Sequence, residues 1–322
     1  LSADFSGRLE YRERPGRGMD VIMQAVQAAH PTVPAYWPDS SKPTNPGYDG
    51  RWGNPLAISE RDYSGYSDTD FSSVRGTFSV NLNFNKWVKG LSADGKFDYR
   101  LNNNFVKTFN KSFDYHDYNY DTEEYTVIGT FNGGKNSLRE EYAKDWLWYS
   151  MFKLNYDRIF AKKHHITGLA LVEAQANKND NFFAYREGFI STEVDEMFAG
   201  SDENKNNGGG ASEGGRMSYV FKLGYSYDNR YLFDFVGRID GSAKFYKDNR
   251  WGFFPGISAA WRISEEPFFK EKFTNVDNLK LRLSVGQTGD EANVNFNYLT
   301  GYIFGNSWIF DTGEAISKGL KS

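Results

Sequence analysis

Four histidines, His30, His116, His164 and His165, and three adjacent carboxylate pairs, Glu123–Glu124, Glu140–Glu141 and Glu265–Glu266, are the groups best suited to acid–base or metal chemistry. Neighbouring residues of an extended strand point to opposite faces, so none of these pairs is by itself an acid/base couple. His164 and His165 sit beside Lys162 and Lys163, which reads as a solvated basic turn rather than a metal site. The S-D-E-N-K-N-N tract at 201–207 offers oxygen ligands without the spacing of a calcium loop. No serine stands in a motif with a partner histidine, and there is no cysteine. Thiolate nucleophiles, thiolate metal sites and disulfides are thereby excluded. The expectation is a protein that is not an enzyme and uses no metal and no cofactor.

Binding chemistry has more to work with. Tyr36, Trp37, Tyr48 and Trp52, followed by Tyr63, are interleaved with proline, aspartate and asparagine in one long polar stretch. Flat aromatic rings beside amides and carboxylates suit stacking on a sugar ring, or contact with a peptide or a partner protein. The same residues would equally serve to pack the loop on itself or against a partner. A second set is charged: Arg75, Lys96, Arg100, Lys222, Asp234, Arg238 and Arg282 each alternate with apolar neighbours.

That alternation defines the elements that must position them. From Met217 the odd residues Tyr219, Phe221, Leu223, Tyr225 and Tyr227 are apolar or aromatic, and the even ones include Ser218, Lys222 and Ser226. The pattern resumes with Tyr231, Phe233 and Phe235 against Asp234, Arg238 and Asp240, and it recurs in 1–11, 74–85, 91–101, 152–157, 257–264 and 279–287. Period-two alternation is the signature of β-strands with two unlike faces. In H-I-T-G-L-A-L-V-E-A it is less clean, because Leu169 and Leu171 fall opposite Ile166 and Val172.

A soluble sandwich also alternates, so size decides. Aromatic side chains cover roughly 150–250 Å² each, and the 217–227 face alone presents something near 1,000 Å², where a soluble surface tolerates a few hundred. Segments of about 10–14 residues suit a tilted bilayer-spanning strand. Aromatics at 17% sit in a chain of mean hydropathy -0.66 with no apolar run long enough for a membrane helix. Connections alternate between short (86–90, 161–165, 228–230) and long and polar, at about 13–72, 110–142 and 178–215. The last, with its S-D-E-N-K-N-N-G-G-G run, is expected to be mobile. Short turns at one end and long loops at the other are the habit of up-and-down outer-membrane barrels. Tyr219, Phe221, Tyr225, Tyr227, Tyr231, Phe233, Trp251 and Trp261 are then the lipid face and its aromatic girdle. The charged set faces a wet or plugged lumen. A net charge of -4 gives no basic footprint for nucleic acid.

The run Y-L-F-D-F-V-G-R-I-D-G-S-A-K-F-Y-K-D-N-R-W-G-F-F-P-G-I-S-A-A-W-R-I-S-E-E-P-F-F, continued by L-K-L-R-L-S-V-G-Q-T-G-D, closely resembles the SusC/RagA family of TonB-dependent outer-membrane transporters. The likeness is specific over about residues 215–292, and N-P-G-Y-D-G-R-W-G-N-P-L at 45–56 is similar to an external proline-rich segment of that family. The resemblance implies an all-β, antiparallel transmembrane barrel of about 22 strands with an N-terminal plug. It also implies a TonB-contacting segment, a SusD-like lipoprotein over the outside, and import of oligosaccharides or peptides across a bacterial outer membrane. Neither plug nor closing strand is visible, so the chain reads as an internal part of the barrel, 1–322, with about nine or ten strands. Alone it would not transport. An adhesin or receptor barrel without transport is the alternative. Within the motif, D-G-S (240–242) is expected to supply a turn, and D-N-R-W-G (248–252) a rim with Trp251 and Phe253 in the girdle.

Overall fold

The computed structural model describes residues 1–46, 53–273, 275–291 and 296, together with the backbone of four two-residue strands between 303 and 321. In chain order the main strands are β1 (Ser2–Arg12), β2 (Gly65–Asn83), β3 (Leu91–Asn110), β4 (Asp114–Asn119), β5 (Glu124–Thr130) and β6 (Ser137–Phe160). They continue with β7 (His164–Glu187), β8 (Asn206–Tyr227), β9 (Tyr231–Ser242), β10 (Trp251–Arg262) and β11 (Lys280–Gly286). Nine of them form one sheet in the order β1-β2-β3-β6-β7-β8-β9-β10-β11, and every neighbouring pair is antiparallel. Among the described residues β1 and β11 are its two edges. β4 and β5 make a separate hairpin within the β3–β6 connection. Short helices α1 (Met19–Ala28), α2 (Pro55–Ser59) and α3 (Arg61–Ser64) lie in the β1–β2 connection, and α4 (Pro267–Lys272) precedes β11.

The register carries one apolar face across the whole sheet, because directly opposed residues share a side. Phe78 lies opposite Phe97, Leu101 opposite Trp146, Phe152 opposite Val172, and Val172 opposite Tyr219. Beyond β8, Tyr219 meets Ile239, Ile239 meets Phe253, and Trp261 meets Leu281. The uneven stretch resolves in the same way. Ile166 is opposite Tyr225 on the apolar face, whereas Leu169 is opposite Lys222 on the other.

On β6 the apolar row runs Trp146, Trp148, Ser150, Phe152, Leu154, Tyr156 and stops at Lys144, which lies opposite Asp180. The 146–156 stretch matches the ~9–11 residues that a tilted strand needs to cross hydrocarbon. Yet β6 and β7 each run for 24 residues. The sheet therefore continues well past its apolar band.

That extension corrects the sequence boundaries. β2 begins at Gly65, β3 reaches Asn110, β6 starts at Ser137 and β7 ends at Glu187, all inside stretches read as loops. The G-G-G-A-S-E-G-G run read as mobile lies in β8, paired with β7. Ladder hydrogen bonds join backbones and need no apolar side chains, so alternation fades where the burial demand ends while the strand goes on. A Cβ at Gly208 would come within 2.7 Å of the Phe183 ring across the ladder. Glycine there admits the ring.

The tight connections follow from local chemistry. Ala161 and Lys162, and again Asp228 and Asn229, are consecutive residues of positive φ, the backbone of a twisted two-residue hairpin turn. The packed core sits at the long-loop end: Phe109, Leu138 and Phe189 form a buried cluster against Tyr66, Met197 and Ala199.

Candidate functional site

By register, all seven charged residues picked out by the alternation lie on the polar face. Arg75 is directly opposite Arg100, a like-charge pairing that is unfavourable by itself. Asp98 relieves it. Its Oδ2 accepts from Arg75 Nη2 at 2.7 Å, Arg75 Nε at 2.8 Å and Thr77 Oγ1 at 2.6 Å. Lys96 and Arg100 make no ion pair among the described residues.

A second network spans four strands. Arg238 donates to Asp240 at 2.7 Å, to Glu173 at 3.0 Å and to Ser218 at 3.0 Å, and Tyr149 donates to the other Glu173 oxygen at 2.9 Å. Lys222 and Asp234 stand 3.8 Å apart. With Arg282, Ser258 and Ser284 they line an open groove of about 350 Å³. The face is a fixed mosaic of both charge signs, suited to polar contact and hydration rather than to bond-making.

The motif residues converge at the long-loop end of β9 and β10. Asp240 and Gly241 lie in β9, opposite Gly252 and Trp251, rather than in the turn expected of them. The link itself covers 243–250. A Cβ at Gly241 would fall 2.7 Å from the Trp251 ring, and one at Gly289 2.3 Å from Phe254. These glycines are seats for aromatic rings. Around them a pocket of about 210 Å³ is lined by Arg216, Asp240, Ser242, Arg250, Phe254 and Glu291 among others. Arg216 pairs with Glu291, tying β8 to the segment after β11. Burial opposes ionisation of Glu291, but its bonds to Ser242 and Arg216 hold its carboxyl below the usual range.

The opposite end has a different hub. Glu266 accepts from Tyr231 Oη at 2.7 Å, Trp261 Nε1 at 3.0 Å and Arg230 at 3.0 Å. These bonds, that from Tyr231 foremost, lower its pKa. The W-R-I-S-E-E strand end is thus an anchor for two aromatic rings of the apolar face.

In the β1–β2 connection, Tyr36 donates to Glu60 at 3.0 Å and lies 6.1 Å from the Tyr63 ring. Burial, with that bond, raises its hydroxyl pKa. Trp37 donates to the His116 carbonyl at 2.6 Å and packs against Tyr118 and Tyr120. Trp37 ties the loop to the β4–β5 hairpin, whereas Tyr36 holds the loop to its own α2–α3 segment. Tyr48 and Trp52 lie outside the described residues. The residues missed from sequence are Tyr118, Tyr120 and Tyr125, whose rings cluster at 4.7 and 4.9 Å centroid distances. The signal was there in Y-H-D-Y-N-Y (115–120), a second alternation inside a stretch read as loop. Below them, burial pushes the Tyr115 hydroxyl up to about 12.

A meandering antiparallel sheet with one apolar and one charged face, with short β2–β3, β6–β7 and β8–β9 turns at one end and the longest connections at the other, defines the wall of an up-and-down transmembrane β-barrel. No family model matches the chain. It is 30% identical over 274 residues to TonB-dependent receptor P26 of Formosa agariphila, covering 82% of this chain and 25% of that protein. It is 48% identical over 94 residues to TonB-dependent receptor SusC of Bacteroides thetaiotaomicron, covering 29% of this chain and 9% of SusC. Among solved structures it is similar to the RagAB peptide transporter, with a TM-score of 0.62 at 20% identity, over 80% of this chain and 26% of that one. The chain belongs to the SusC/RagA family of TonB-dependent receptors. It spans about a quarter of the length of P26, and these relatives are named as receptors and transporters, not enzymes.

Proposed function

We propose that the chain is part of the wall of an outer-membrane transporter that imports oligosaccharides or peptides, with energy relayed by TonB and a SusD-like lipoprotein over the long-loop end. The observation that carries this is the apolar face, continuous from Phe78 on β2 to Val285 on β11, with Phe152 50%, Phe253 51% and Leu283 78% exposed. Only hydrocarbon covers such a face in a monomeric wall. Tyr219, Phe221, Tyr225, Tyr227 and Phe233 meet lipid, while Tyr231, Trp251 and Trp261 sit at its borders.

The opposite face, with Arg75, Lys96, Arg100, Lys222, Asp234, Arg238 and Arg282, lines the lumen. Lys96 and Arg100, without an ion pair among the described residues, offer one to a plug or to passing substrate. Tyr36 and Trp37 hold the external loops in shape for the lipoprotein or the ligand. The protein contributes binding and gating.

The test is uptake by cells carrying the full-length protein, with labelled oligosaccharides and peptides supplied in parallel. Import of one class, lost on removing TonB and reduced on removing the lipoprotein, supports the reading. Surface binding that persists without TonB, with no uptake of either class, favours an adhesin or receptor.

A further inference from the structure

Two long connections and two short turns at opposite ends of the wall differ in charge. The connections 111–136 and 188–205, both at the long-loop end, hold ten acids against three lysines and no arginine. At the other end, the β2–β3 connection carries Lys86 and Lys89, and the β6–β7 connection carries Lys162 and Lys163. All four lysines are exposed and make no ion pair among the described residues. The two turns form one rim, because Asp157 N–H donates to the Gly90 carbonyl at 2.9 Å. Asp157, the acid at this rim, is bonded by His165 Nε2 at 3.0 Å, and His164 bonds the Tyr225 hydroxyl at 2.9 Å. Asp228 on the neighbouring turn is taken by Arg230. The acids next to these turns are thus bonded to other side chains, and the four lysines keep no carboxylate in ion-pair contact among the described residues.

Beside it stands a large exposed aromatic. Trp87 is 80% exposed and stacks on Phe84 at 5.7 Å. The apolar band begins immediately above, where Leu91 faces Tyr156.

We infer that this rim docks anionic phospholipid headgroups, the four lysines meeting phosphates while Trp87 enters the interface beside the acyl chains. Ammonium groups on flexible stems, set just beyond a hydrocarbon band and next to an indole, have the geometry of interfacial anchoring. Surface lysines near an anionic leaflet are attracted to it. A headgroup supplies both the phosphate for the lysines and the apolar boundary for Trp87, whereas free phosphate would leave Trp87 in water. The inference rests on the membrane-spanning reading above and assigns one end of the wall to a particular lipid charge.

The test uses the full-length protein reconstituted in vesicles of phosphatidylcholine with phosphatidylglycerol, one of the two lipids brominated at a time. The Trp87 signal is the fluorescence difference between wild type and Trp87→Phe. Brominated phosphatidylglycerol is expected to quench it more strongly than brominated phosphatidylcholine at equal bromine content. That preference is expected to be lost in the Lys86→Gln, Lys89→Gln, Lys162→Gln, Lys163→Gln variant and kept in the matching fourfold Lys→Arg variant. Heat-modified gel mobility verifies that both are folded. Equal quenching by the two lipids, or a preference that survives the glutamines, overturns the inference. So does loss of preference on adding inorganic phosphate at constant ionic strength, which would mark a free-anion site. Absence of quenching by either lipid, together with none for the remaining tryptophans, would instead sink the membrane-spanning reading itself.

Discussion

The sheet wall and the long-loop assembly use the same aromatic residues in opposite ways. Across β2 to β11 the rings of Phe78, Phe97, Phe152, Tyr225 and Phe253 stay substantially exposed. In the assembly above, Phe109, Leu138, Ile58 and Ala57 are fully buried, and Tyr115 and Phe189 nearly so. A one-layer sheet has no second layer to bury against, so its apolar face needs an outside solvent that is itself apolar. The loops lie beyond that solvent and have to build a core of their own. Exposed phenylalanine on this wall is thus a statement about its surroundings, whereas buried phenylalanine in the loops is a statement about packing.

The sharpest probe of that contrast is Phe109→Ala. Truncating a fully buried ring costs ~3–5 kcal/mol, and the cluster it leaves joins β3, β6 and the 189–199 segment. Hydrogen exchange should rise around 189–199 while the 91–101 stretch of β3 stays protected. Equal loss in both would mean that wall and loops form one cooperative unit.

Next comes Phe221→Arg, at a wall position already 38% exposed. In water such a change is nearly neutral. Facing the bilayer midplane, an arginine costs ~2–4 kcal/mol, seen as reduced refolding yield of the full-length protein into vesicles, with Phe221→Leu nearly silent. A silent Phe221→Arg would remove hydrocarbon from the account.

Asn54→Ala is expected to be milder. The Asn54 side chain accepts from Leu56 N–H at 3.0 Å and Ala57 N–H at 3.1 Å, capping α2. Losing such a cap costs about 1 kcal/mol, and the bonds that the buried Asn54 amide donates to the Ala35 and Thr44 carbonyls go with it. Proteolysis should quicken within 53–64 and nowhere in the sheet.

The smallest expected effect is confined to acid. The Glu266 carboxyl is lowered from an ordinary 4.5 by its bonds to Tyr231, Trp261 and Arg230. Its contribution is fully present above that value and is lost as pH falls below it through the depressed folded value. The fluorescence difference between wild type and Trp261→Phe should report a transition below pH 4.5 that Glu266→Gln abolishes. An unchanged acid transition in Glu266→Gln would place the titrating group elsewhere.

Legibility followed the demand for burial. Wherever hydrocarbon requires an apolar row, as from Met217 to Tyr227, alternation revealed strand, face and register parity together. Above the band the outside is aqueous, so Asn206–Gly215 could be strand without showing it. Arg238, Asp240 and Gly241 were visible as a motif, but their work was not. Arg238 reaches Glu173 across 65 residues of sequence, and Gly241 lies under the Trp251 ring. Tyr36 and Trp37 were noticed for their chemistry, yet their partners Glu60, His116 and Tyr118 come from two separate loops.

By itself, the sequence determined the class of element, its two faces and the family, because strand periodicity and motif spacing are local properties of the chain. Tertiary structure alone decided where strands end, which charges are neutralised and which aromatics cluster. Those outcomes depend on pairing between residues tens of positions apart, and no local pattern records the partner.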